Sequence, residues 1–109
     1  MKDLYNLRVA KIIDEYRVVL NAGYESGVDT GMTFVIYNTG DEIFDPEDGT
    51  SLGHLEVTKG RVKVFHVQDK FCSAASTARG PRSAQNGRIV EPMLKLKDVQ
   101  IGDRAKRIE

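Results

Sequence analysis

Apolar positions along this chain recur mainly at every second residue, in short runs bounded by Gly, Asn and Asp. That is the period of a strand, whose side chains alternate between two faces. Leu7 to Ile13 alternates, with Leu7, Val9, Lys11 and Ile13 on one face and Arg8, Ala10 and Ile12 on the other. Arg17-Val18-Val19-Leu20 is a short β-branched run after a polar turn at Asp14-Glu15. Thr33 to Tyr37 reads as the strongest strand, and Asn38-Thr39-Gly40 behind it carries turn chemistry. The stretch Asp45-Pro46-Glu47-Asp48-Gly49-Thr50 reads as a hairpin tip. Asp45 can accept backbone N–H groups, Pro46 presets its φ, and Gly49 can take a positive φ. The tip joins a strand near Glu42–Phe44 to one from Leu52 to Val57.

Lys59-Gly60 reads as a turn into Val62–Gln68, where Val62, Val64 and His66 oppose Lys63, Phe65 and Val67. Phe71–Ser76 continues as a strand. From about residue 77 to 88 large apolar residues are absent, which predicts a mobile loop. Order resumes at Arg88-Ile89-Val90, which Pro92 restricts to an edge or bulge, and Met93–Lys97 alternates again. No segment carries an apolar stripe over three helical turns, so little helix is expected. One internal echo stands out: Val28-x-x-Gly31 and Val99-x-x-Gly102 are each a Val-x-x-Gly turn. In a small barrel such a Val plugs the end and the Gly permits the tight backbone turn. The pattern predicts an all-β chain, a small closed or partly open β-barrel of six to seven mostly antiparallel strands, as a single domain over residues 1–109.

Composition narrows the class without naming a reaction. A chain of 109 residues with 40% hydrophobic positions suits one globular domain. Sixteen Lys and Arg balance sixteen Asp and Glu, which excludes a uniformly basic nucleic-acid coat. The zero hides two unlike halves. Residues 1–58 hold four cations and eleven anions, and residues 59–109 hold the reverse excess, twelve against five. Either the charges interleave across a sheet, or they mark an acidic and a basic face.

Candidate chemistry is sparse. Gly23, Gly27 and Gly31 sit four apart but feed a strand beside Glu25 and Asp29, so they read as turn glycines rather than a phosphate loop. Asp41, Glu42, Asp45, Glu47 and Asp48 crowd the hairpin tip without the ligand order of a calcium loop. A lone Cys72 excludes an internal disulfide. His54, His66 and Cys72 are the only plausible nucleophile, base or soft-ligand groups, and spacing alone does not bring them within hydrogen-bond reach. Cys72 beside Phe71 reads as a small buried hydrophobe. No catalytic group, cofactor or metal is therefore expected. The candidate contact residues are Asp45, Glu47 and Asp48 at the acidic tip, and Arg79, Arg82 and Arg88 in the basic loop, with Lys70 nearby.

The run Val18-Val19-Leu20-Asn21-Ala22-Gly23, then Gly27-Val28-x-x-Gly31-Met32-x-Phe34-x-Ile36-Tyr37, precedes Ile43-x-Asp45-Pro46-x-x-Gly49-x-x-Leu52-Gly53 and Gly60-x-Val62-x-Val64-x-x-Val67-Gln68. Together these residues resemble the C-terminal domain of flagellar assembly protein T, over residues 17–76 and the closing turn at 99–103. The resemblance implies a small non-catalytic β-barrel that works through protein contacts in a bacterial periplasmic ring. Residues 77–92 stand as an insertion in that pattern.

The expected function is thus a non-enzymatic binding or assembly module, with a protein partner or a homo-oligomer. The alternative is a nucleic-acid-binding barrel using the arginine loop, whose guanidinium groups suit phosphate. A ligand pocket at the barrel mouth that uses His66 is a third class. No segment has the roughly 18 apolar residues of a membrane helix, and none reads as a signal peptide. The sequence read literally points to the cytoplasm, or to the periplasm for an excised domain.

Overall fold

Leu7 and Val9, Val18 and Leu20, Phe34 and Ile36, Val62 and Val64, Cys72 and Ala74, with Ala105, all turn inward and are buried in one cluster. The strands that carry them close on themselves. In the computed structural model, which describes residues 2–108, these are β1 (Leu7–Ile12), β2 (Arg17–Leu20), β3 (Thr33–Phe44), β4 (Ser51–Val67), β5 (Cys72–Ser76) and β8 (Arg104–Ile108). They form a closed antiparallel barrel in the order β1-β2-β5-β4-β3-β8. β6 (Ser83–Gln85) and β7 (Arg88–Val90) pair separately as a two-stranded sheet. Met1 and Glu109, the limits of the single-domain reading, lie outside the described residues. Closure leaves no unpaired sheet edge around the core. The all-β barrel expected from the alternation is what the chain builds, and the only helical piece among the described residues is a 3₁₀ turn at Tyr24–Ser26.

The Val-x-x-Gly echo extends to the whole barrel. Gly31 and Gly102 have φ of 91° and 94°. Met32 N–H donates to Asp29 C=O, and Asp103 N–H donates to Gln100 C=O, so both segments are tight turns with Gly at the third place. Gly31 N–H donates to Val64 C=O while Val64 N–H donates to Met32 C=O; Gly102, Val9 and Asp103 repeat the same exchange. The β3–β8 ladder maps onto itself about Val35↔Lys106, since Thr33 pairs with Ile108 and Tyr37 with Arg104. The two halves, β8-β1-β2 and β3-β4-β5, are thus related by a pseudo-twofold. Because β3 and β8 run antiparallel, the two turns sit at opposite barrel ends. Val28 is buried at one and Val99 packs on the core at the other.

Each half also carries the same bulge, and the bulge corrects two face assignments. Val9 pairs with Leu20 but Lys11 with Val19; Val64 pairs with Ala74 but His66 with Ser73. Ala10 and Phe65 are the extra residues. A bulge resets the alternation, so Lys11 and His66 face outward instead of joining Val9 and Val64.

Two expected turns are likewise absent, and an expected loop is partly structured. Asn38-Thr39-Gly40 is not a turn: Asn38 and Thr39 pair with Val57 and Glu56, and β3 runs on to Phe44. Lys59-Gly60 is an irregularity inside β4 rather than a turn, with Gly60 at φ 149° under the Leu96 side chain, where a Cβ would come within 2.5 Å of Leu96 Cδ2. The segment 77–88 is irregular only in part: residues 77–82 form no strand and make one bridge, Arg79 to Met93, before a hairpin begins. Asn86 and Gly87 take φ of 51° and 76°, the paired positive values of a tight two-residue hairpin, and Ser83–Gln85 pairs with Arg88–Val90 across them. Met93–Lys97 forms no strand; Met93 makes one bridge to Arg79, and the last strand is β8.

Candidate functional site

What departs from the pseudo-twofold is an arm and a hairpin. Beyond the barrel, β3 and β4 continue as a two-stranded arm over residues 38–58. It gives the molecule extents of 60 × 36 × 23 Å and a radius of gyration of 16.5 Å, against about 13 Å for a compact chain of this length. A lone two-stranded ribbon is marginal in water. This one also exposes large apolar side chains, with Leu52 63%, Phe44 56% and Leu55 54% accessible, and Ile43 and Val57 nearly as open. Pairing places Ile43 opposite Gly53, and Gly40 lies against Leu55 and Val57. Ile43, Leu55 and Val57 therefore share one face. The other face carries Thr39, Glu42, His54 and Glu56, together with Phe44 and Ser51.

The arm holds six of the sixteen carboxylates and no Lys or Arg, leaving all sixteen cations and ten carboxylates to the rest of the chain. The two halves' charges thus segregate in space as an acidic arm on a basic barrel. Contact between them is made at the root, where Lys106 Nζ lies 2.8 Å from Glu56 Oε1 and 4.8 Å from the Tyr37 ring centre.

At the tip, Asp45 Oδ1 accepts the Glu47 N–H at 2.8 Å. Asp48 Oδ1 accepts the Thr50 N–H at 3.0 Å and the Thr50 hydroxyl at 2.8 Å. The Thr50 bonds, backbone first, hold the Asp48 carboxyl below its ordinary range. Asp45 and Asp48 each use one oxygen in shaping the turn, whereas the Glu47 carboxylate makes no side-chain hydrogen bond among the described residues.

The three arginines are not brought together. Arg79 stands at the base of the β6–β7 hairpin, donating to Ser76 and Ala78 carbonyls. Arg82 pairs with Glu91 at 3.1 Å, and Arg88 flanks the tip turn. Six ladder steps separate base from tip, roughly 20 Å.

Two cation-lined depressions went unnoticed in the sequence, because their residues are scattered along the chain. One, of about 670 Å³, runs along β4 and β5 and is lined by Arg61, Lys63, Arg79, Phe65 and Thr77 among others, with no carboxylate among the described residues. The other, of about 530 Å³, lies over β1 and β2 and reaches Lys70 and Phe71 just before β5. Its floor is Ala10, Ile13, Val19 and Phe71, and its rim is Lys2, Lys11 and Lys70.

Near the root of the arm, Lys59 Nζ meets Asp103 Oδ2 at 2.8 Å with both side chains about nine-tenths buried. Asp103 Oδ2 also accepts the Gln100 N–H at 2.7 Å, which pins the closing turn. At the pseudo-equivalent places stand Leu4 and Met32, both packed on the core, and Met32 Sδ accepts the Asp29 N–H at 3.4 Å. The same turn is thus held by an apolar pair at one barrel end and by an ion pair at the other.

The candidate reactive groups are dispersed. Cys72 is fully buried, and burial pushes its thiol up to about 11. His66 lies on the outer face of the next strand and His54 is out on the arm. Among the described residues no three His, Cys, Asp or Glu groups gather to hold a metal. Among the described residues no helix is long and apolar enough to cross a membrane. Compared with known proteins, the chain matches no family model and no curated protein.

Proposed function

We propose that this protein is an assembly module that acts through protein–protein contact, as its resemblance to the C-terminal domain of flagellar assembly protein T implies, with the arm as its principal contact element. One observation carries the reading: the arm projects an uncovered strip of Ile43, Leu55 and Val57 away from the core that could have buried it. Exposed apolar surface rimmed by charge marks a contact surface. The expected absence of catalysis is supported by the chemistry of the candidates, since a thiol at about 11 in the core is a poor nucleophile at neutral pH.

The test replaces the strip with Ile43→Thr, Leu55→Thr and Val57→Thr together, which keeps strand propensity while removing apolar area. The wild-type chain should run in a native extract of its own cells well above its 12.2 kDa mass. The triple variant should run at monomer size with an unchanged melting temperature. A wild-type chain that runs as free monomer in that extract overturns the reading.

The second reading, a nucleic-acid contact, gains support from the groove along β4 and β5 rather than from the hairpin arginines. Arg61, Lys63 and Arg79 surround an exposed Phe65 there, the pairing of phosphate ligands with a stacking platform that single strands use. Its signature is affinity for a single-stranded oligonucleotide that falls linearly in log–log against salt and drops on Phe65→Ala. No gel shift at low salt sinks it.

A further inference from the structure

Resting on the assembly reading, we infer that the arm's partner is a second copy of this chain, and that the arm seats in the lysine-rimmed trough of its neighbour. The trough answers the arm in both of its properties. Its floor of Ala10, Ile13, Val19 and Phe71 matches the strip of Ile43, Leu55 and Val57. Its rim of Lys2, Lys11 and Lys70 matches an arm with six carboxylates and no Lys or Arg. Ile13 and Phe71 are themselves about 40% accessible, so the floor is open as the strip is.

The contact is intermolecular by construction. The arm continues β3 and β4, whereas the trough lies over β1 and β2, on the opposite wall of the barrel order. A chain's own arm leaves the barrel on the wall opposite its trough, so the trough of one copy is left to the arm of another. Each copy carries one arm and one trough, so a reciprocal pair or a head-to-tail series satisfies both. A polyanion would answer the trough alone and leave the apolar strip of the arm uncovered; a second copy satisfies the two surfaces together.

The experiment uses the purified full chain and light scattering, with two charge-reversed variants. One carries Asp41→Lys and Glu47→Lys on the arm; the other carries Lys11→Glu and Lys70→Glu on the trough. None of these four side chains takes part in an ion pair or side-chain hydrogen bond among the described residues, which leaves the fold intact. The wild type should associate at low salt and dissociate by tenfold or more in affinity at high salt, where exposed charges are screened. Each variant alone should associate at least tenfold more weakly than the wild type. Mixed in equal amounts, they should associate again, because the unaltered arm of the trough variant then meets the unaltered trough of the arm variant.

A wild type that stays monomeric to about 0.1 mM, or a mixture that fails to associate when the wild type does, overturns the inference. If the native extract still shows a complex lost in the Thr triple variant, the assembly reading survives with a different partner. If it does not, both fall.

Discussion

The ion pair between Lys59 and Asp103 offers a test of the pseudo-twofold as well as of the barrel's energetics. Both side chains are about nine-tenths buried, so each charge is held mainly by the other. In Asp103→Ala the Lys59 ammonium loses its one carboxylate partner among the described residues, and the Gln100 N–H loses its acceptor. Stranding one member of a buried pair costs about 3–5 kcal/mol. At roughly 4–8 °C per kcal/mol for a small domain, Tm should fall by about 12 °C or more. The double change Lys59→Leu with Asp103→Met copies what the other half already does with Leu4 and Met32. It removes both charges together, and a methionine sulfur can take the Gln100 N–H as Met32 Sδ takes that of Asp29. Exchanging a buried pair for apolar groups is commonly neutral or stabilising by up to about 4 kcal/mol, so the double variant should unfold at or above the wild-type urea midpoint. Urea and thermal unfolding of the wild type, both single variants and the double complete the cycle. A double variant as weak as Asp103→Ala would refute the equivalence of the two barrel ends. A loss below about 1 kcal/mol in the single variant would refute the desolvation argument.

Other expectations follow from local geometry. Gly31→Ala and Gly102→Ala meet open space but at positive φ, so each should lose about 1–2 kcal/mol by strain alone; Gly23→Ala puts a Cβ 2.0 Å from the Gln68 carbonyl oxygen and should lose clearly more in the same urea series. Asp48 has its carboxyl lowered from 3.8 by bonds from Thr50. The tip order it supplies is therefore complete above the unfolded carboxyl value and lost as pH falls through the lower folded one. The Thr50 amide shift should titrate with a midpoint under 3.8, and Asp48→Ala should abolish that titration. Cys72, buried and pushed to about 11, should resist thiol reagents at pH 8 in the native protein and react once urea unfolds it; rapid native labelling would show that β5 opens.

Much of the barrel was legible one strand at a time. Phe34-x-Ile36, Val62-x-Val64 and Val18-x-Leu20 advertise their inward faces by alternation alone, and the two Val-x-x-Gly segments advertise the turns that end the barrel. The acidic tip was legible too, since Asp45, Pro46 and Gly49 carry their turn chemistry in their own side chains. The β6–β7 hairpin was open to the same reading through Asn86-Gly87 but was obscured by the polar residues around it.

The remaining features depend on which strand lies alongside. Alternation is a property of one strand, but a bulge is a property of two, so the outward turn of Lys11 and His66 is visible only once Leu20–Val19 and Ala74–Ser73 are in register with their partners. Asn38-Thr39-Gly40 carries turn residues and yet stays extended, because Glu56 and Val57 arrive from beyond the tip to complete its ladder. Composition showed an acidic half and a basic half; whether they would interleave was decided by the arm, which carries six carboxylates away from the barrel. The sequence thus determined the strands, the plugs and the tip, whose causes are local. Closure decided the ion pair, the lysine trough and the polarity of the whole, because each of these joins residues far apart in the chain.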